Sequence, residues 1–187
     1  IKNLKDGTLV SLFALAADFE STATPIIQLC SPGRFEAGDS EFNKSKSFTE
    51  KQFKERFEEP ILQAVQDLAT TAPDTSSPIL EMLQLVGIKG FKSTDINNQL
   101  ELVVYSDFLH NTKKLSMYQT SNKFDDFAST DYGIQSMPKL REVSVSLKYL
   151  MHTPKFQGQD NRKFWMQLFR QSGASIKSVE TIEGGYE

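Results

Sequence analysis

A chain of 187 residues, 39% hydrophobic and 24% charged, has the composition of one globular domain, which excludes disorder for most of its length. Its formal net charge of −3 gives no electrostatic reason to approach nucleic acid or an anionic membrane surface, since both favour a basic face. No apolar run approaches the roughly 20 residues a membrane-spanning helix needs, and the single cysteine, Cys30, excludes an internal disulfide framework.

The chain begins at Ile1, and Ile1-Lys2-Asn3-Leu4 reads as the last turn of a helix stopped at Gly7, so the pattern predicts a further segment upstream and leaves the compartment open. Leu9 to Leu15 is a nearly continuous apolar run bounded by turn residues, which predicts a central strand buried on both faces. After a polar turn over Asp18 to Thr24, Pro25 to Cys30 predicts an antiparallel edge strand, because Pro25 cannot donate to a ladder. Ser31 to Phe48 has no period and predicts a long loop. Thr49 and Gln52 have capping-box spacing ahead of Phe53, Phe57, Ile61, Val65 and Leu68, the stripe of an amphipathic helix that Pro60 should kink or divide. Ser77-Pro78 predicts a second helix, capped by the Ser77 hydroxyl, with Ile79, Leu80, Leu83 and Val86 on its apolar side and Gly87 and Gly90 at its end.

Leu100 to Tyr105 is another dense apolar run, read as a second central strand that ends in the polar pair Ser106-Asp107. Between Asn111 and Lys139 the pattern predicts only one short helix, near Phe124 to Ala128. Val143, Val145, Leu147 and Tyr149 alternate with Ser144, Ser146 and Lys148, giving a strand with one wetter face. Asp160 is placed to cap a helix carrying Phe164, Trp165, Leu168 and Phe169 and closed by Gly173, and a last strand spans about Ile176 to Ile182. Strands alternating with helices indicate an α/β chain with a mainly parallel sheet covered on both faces.

This order resembles the von Willebrand factor A (VWA) family from its second strand onward, and the likeness is greatest to uncharacterised bacterial members. The family's second strand and antiparallel edge match Leu9 to Cys30, its threonine loop and helix match Thr75 to Val86, and its "TDG" strand end matches Tyr105-Ser106-Asp107, with Phe108 in place of the glycine. Its later strand and final helix match Val143 to Leu150 and Asp160 to Gly173. The resemblance implies one VWA-like domain over residues 1–187, a three-layer α/β/α Rossmann-like fold with one antiparallel edge strand, lacking its first strand. Metal-binding members hold a divalent cation, Mg²⁺ or Mn²⁺, at the carboxyl edge of the sheet through a D-x-S-x-S loop, a Thr and an Asp, and a partner protein supplies a further carboxylate. By that resemblance Ser77 stands at the Thr and Asp107 at the Asp, as the metal ligands. No D-x-S-x-S occurs in this chain, so the implied metal site is degenerate or incomplete.

Each of these residues also has a simpler reading. Ser77 is explained by helix capping, and His110 by an ordinary surface-loop position. Cys30 and Trp165 read as core residues, and Asp125-Asp126 and Glu58-Glu59 as solvated faces. Two functions follow as expectations. One is a protein–protein interaction module whose loops present Ser76, Ser77, Asp107 and His110 to another protein; the alternative is a metal-dependent hydrolase using Asp107 and His110, which would have to share a proton or an ion.

Overall fold

In a computed structural model of the protein, residues 4–15, 24–35, 45–70, 76–91, 99–119 and 122–183 are described, and they fall into two units, Ile1–Pro73 and Asp74–Glu187. The chain is mixed α/β, with a two-stranded antiparallel sheet in the first unit and a three-stranded parallel sheet in the second.

In the first unit β1 (Leu9–Leu12) pairs with β2 (Ile27–Cys30), Leu9 opposite Cys30 and Leu12 opposite Ile27. The expected hairpin pairing is therefore present, although residues 16–23 of its turn lie outside those described. The reading of β1 as a central strand is corrected, because β2 is its one partner among the described residues and Leu9 is 56% exposed. Cys30 is exposed as well, not buried. Gly7 takes the left-handed φ of +73 in a turn, but Leu4 and Lys5 before it are not helical, and residues 1–3 of the helix expected to end there lie outside those described.

Helix α1 (Lys46–Phe53) starts two residues before the expected loop ends, and Thr49 hydroxyl donates to Ser45 carbonyl (3.1 Å) instead of capping. Pro60 divides the helix as foreseen, by a specific route. Lys54–Glu58 forms a π-helical turn in which Glu59 N–H reaches back to Lys54 carbonyl, and Pro60 then sits in the first turn of α2 (Glu59–Ala69), where its missing N–H costs little. The wider turn also rotates the apolar stripe. Phe53, Phe57 and Ile61 are buried against Leu4, Val10, Ile27 and Leu29, but Val65 is 46% exposed and drops out of the core.

The second unit holds the larger core. Strand β3 (Leu100–Ser106) runs parallel to β4 (Val143–Met151), which runs parallel to β5 (Ser175–Glu183), so β4 is central, and β3, whose one partner among the described residues is β4, corrects the expectation of a central strand there. Val143, Val145, Leu147 and Tyr149 are at most 1% exposed, while Ser144, Ser146 and Lys148 take the wetter face as their alternation predicted. Helix α6 (Gln159–Gln171) crosses from β4 to β5 and buries Phe164, Trp165, Leu168 and Phe169. Its N-cap is Gly158 and not Asp160. It ends in a Schellman motif, with Ala174 N–H on Phe169 carbonyl, Gly173 N–H on Arg170 carbonyl and Gly173 at φ +83.

Helix α3 (Ile79–Lys89) buries the four residues expected of it, but Gly87 lies inside it. A Cβ there would stand 2.8 Å from Lys139 carbonyl, so the glycine permits close backbone approach rather than ending the helix. Helix α4 (Phe124–Ala128) is where it was predicted. A second short helix, α5 (Asp131–Ser136), follows at once and was not foreseen; Thr130 hydroxyl caps it by accepting Gly133 N–H (2.9 Å). No described helix is long and apolar enough to cross a membrane.

Candidate functional site

Three loops meet at the carboxyl ends of β3 and β4. The segment before α3 joins the segment after β3 through a two-bond bridge, Ser77 N–H to Asn111 carbonyl (2.8 Å) and Asn111 N–H to Ser77 carbonyl (3.0 Å). The loop after β4 is tied in by Gln157, which is 2% exposed. Its amide nitrogen donates to Asp107 carbonyl (2.9 Å) and Leu150 carbonyl (2.7 Å), and its oxygen accepts from His152 N–H (2.8 Å) and Thr153 N–H (2.6 Å). All four polar contacts of one buried side chain are thus spent on holding two loops in register.

The turn that carries Asp107 is tightly specified. Ser106 hydroxyl accepts Phe108 N–H (2.9 Å) and Asp107 Oδ1 accepts Leu109 N–H (3.0 Å), two side-chain turns in succession. Phe108 takes φ +56, a conformation uncommon for a bulky side chain. Its ring is fully buried against Tyr149 (centroids 4.1 Å apart) and Trp165 (5.4 Å). Its carbonyl accepts both Asn161 Nδ2 and Trp165 Nε1, each at 2.9 Å. Packing and two donors together hold the strained residue in place.

His110 is 0% exposed, which corrects its reading as a surface-loop residue. Tyr132 hydroxyl gives its one proton to Glu81 Oε1 (2.6 Å), so towards His110 Nε2 (3.1 Å) it accepts. The imidazole proton therefore sits on Nε2, also within reach of Thr112 Oγ1 (3.3 Å), and Nδ1 is left to accept Leu80 N–H (3.4 Å). Leu80 lies in the first turn of α3, whose N–H groups have no helical partner, so His110 does the capping that the sequence assigned to Ser77. Burial lowers the imidazole pKa to about 4 against an opposing pull from the Glu81 carboxylate, and the ring is neutral at pH 7. Glu81 Oε2 is enclosed without a hydrogen-bond partner.

Compared with family models, with curated proteins and with solved structures, the chain matches none.

Of the residues singled out from sequence, Ser76 is exposed and Ser77 and Asp107 are partly exposed, whereas His110 presents no surface. Ser77 makes no side-chain cap, since Pro78 is the N-cap of α3. Asp107 and His110 share no hydrogen bond: Asp107 Oδ1 takes Leu109 N–H, while the His110 ring is engaged by Leu80 N–H, Thr112 hydroxyl and Tyr132 hydroxyl. Among the described residues no group of three or more His, Cys, Asp or Glu could hold a metal ion. Mg²⁺ keeps several waters and needs few protein oxygens, but Ser76, Ser77 and Asp107 offer one carboxylate and two hydroxyls, and the D-x-S-x-S segment that the resemblance calls for is not in this sequence, so the residues present do not fit the implied cation.

Sequence reasoning passed over Gln157, Tyr118, Tyr132 and Glu81. Tyr118 is 43% exposed and packs edge-on against Phe156 with centroids 5.3 Å apart. Burial and the nearby Asp107 charge both raise its phenol pKa. A tyrosine in a polar stretch with no period carries no pattern that would have marked it.

Proposed function

We propose that the chain is a protein–protein interaction module of VWA type, which binds another protein through the carboxyl edge of its parallel sheet by way of Asp107, Ser76 and Ser77. The observation that carries this reading is the construction of that edge: three loops are locked together by the Ser77–Asn111 bridge and the Gln157 clasp, and yet Asp107 and Ser76 are left accessible. Rigid loops at the carboxyl ends of parallel strands are where open α/β sheets place their ligands. The positive φ at Phe108 supports the resemblance, because the family's glycine at that place adopts such a conformation freely. In this proposal the chain is a three-layer VWA-like domain with a degenerate metal site.

The test is a photo-crosslinking residue at Ser76, set beside the same residue at Lys177 on β5. A protein captured from the host only at Ser76, and bound at least tenfold more weakly by Asp107→Ala and Ser77→Ala variants, is the expected result. Equal capture at both positions, or binding indifferent to both alanines, would sink the reading.

A further inference from the structure

Resting on that reading, we propose that Asp107, Tyr118 and Phe156 form a recognition site for a cationic side chain, an exposed arginine or lysine of the partner protein. Three observations place them in one patch. Tyr118 and Phe156 are in edge-on ring contact, and the residue after Phe156 is Gln157, whose amide holds Asp107 carbonyl at 2.9 Å. The Asp107 charge is also close enough to act on the Tyr118 phenol. Among the described residues no ion pair engages the Asp107 carboxylate; its Oδ1 takes Leu109 N–H at 3.0 Å and a long contact from Ser106 hydroxyl at 3.5 Å.

A carboxylate next to two partly open aromatic rings is complementary to a cation, through Coulomb attraction at the carboxylate and through the negative ring faces. A metal-bridged contact would call for the opposite chemistry, a carboxylate on the partner. The chain already shows the preference on its own surface: Lys155 Nζ lies 5.3 Å over the Phe156 ring. We read this lysine as an internal competitor, held over a ring face that a partner's cation would take. The net charge of −3 adds a general pull on basic partners.

The experiment titrates N-acetyl-arginine amide into the ¹⁵N-labelled full chain at low salt and follows the amides of Asp107, Leu109 and Gln157. The neutral N-acetyl-glutamine amide serves as control. Saturable shifts on the order of 10 mM are expected for the arginine probe alone, the scale of one exposed cation–π and charge contact. Asp107→Asn keeps the Oδ1 acceptor for Leu109 N–H and should weaken binding about fivefold, as should Tyr118→Leu. Lys155→Ala should tighten it about twofold, by vacating the ring face and by removing a like charge from the patch, whereas the loss in Tyr118→Leu, which alters no charge, is the outcome that general surface charge would not give. No shifts up to the solubility limit, equal shifts with the glutamine probe, or weaker binding in Lys155→Ala would each overturn the proposal. Capture at Ser76 reads the interaction edge without arginine, so either idea can fail alone.

Discussion

Strands β1 and β4 invert what their sequences suggest. The near-continuous apolar run at Leu9–Leu12 ends in a two-stranded hairpin with Leu9 exposed, while the alternating run at Val143–Met151 becomes the centre of the parallel sheet. The difference teaches that periodicity reports which side chains are apolar, and not how many neighbours a strand will find. Strand β4 is central because parallel partners flank it on both sides, and Val145 and Leu147 on its apolar face are fully buried in the core they share with Phe164, Trp165, Leu168 and Phe169 of α6.

The comparison is broken or sharpened most directly by equal substitutions in both strands. Leu147→Ala should cost about 3 kcal/mol in urea unfolding, within the range for a fully buried leucine, and Leu9→Ala no more than about 0.5 kcal/mol. Similar losses at the two sites would undo the contrast. A comparable effect is expected from pH. His110 titrates at about 4 in the fold against an ordinary value of 6.5, so between those limits the unfolded chain binds more protons and stability falls as pH drops. The loss should approach about 3 kcal/mol by pH 4, with none above pH 6.5, and His110→Gln should flatten the urea midpoint across that window.

Removing the clasp comes next. Gln157→Ala strands two carbonyls and two N–H groups and should cost about 2 kcal/mol, with faster hydrogen exchange at His152 and Thr153 as its local sign. Thr130→Ala removes the cap of α5 and should cost about 1 kcal/mol in the same unfolding assay. Leu9→Ala aside, that figure is the smallest of the set, and a null result there would mean that packing of Tyr132 and Ser136 alone sustains the helix.

Much of the secondary structure was legible because its signals are local. Gly173 after α6, Pro60 in the divided helix and the alternation in β4 each act through their own backbone or their nearest turn. Helix α5 was not legible, since six residues with a central glycine show no period, and that glycine is explained only by its close approach to Phe127. The candidate site was read in part. Asp107 could be found from the abrupt end of an apolar strand, a local mark. Its supports could not, because Gln157 lies 50 residues away in sequence and His110 caps a helix 30 residues upstream. The same distance misled the reading of Ser77, where a sound local rule lost to a partner brought in by the fold.

The indole of Trp165 donates to Phe108 carbonyl, on the residue next to Asp107, and this is the only tryptophan in the chain. The protein therefore carries its own optical gauge of the strained turn. Selective excitation of the indole reports on one peptide group, and an arriving partner that shifts the turn changes the emission colour with no label attached. A partner that leaves the turn unmoved leaves the colour unchanged, so one fluorescence trace separates docking onto a rigid edge from docking that remodels it.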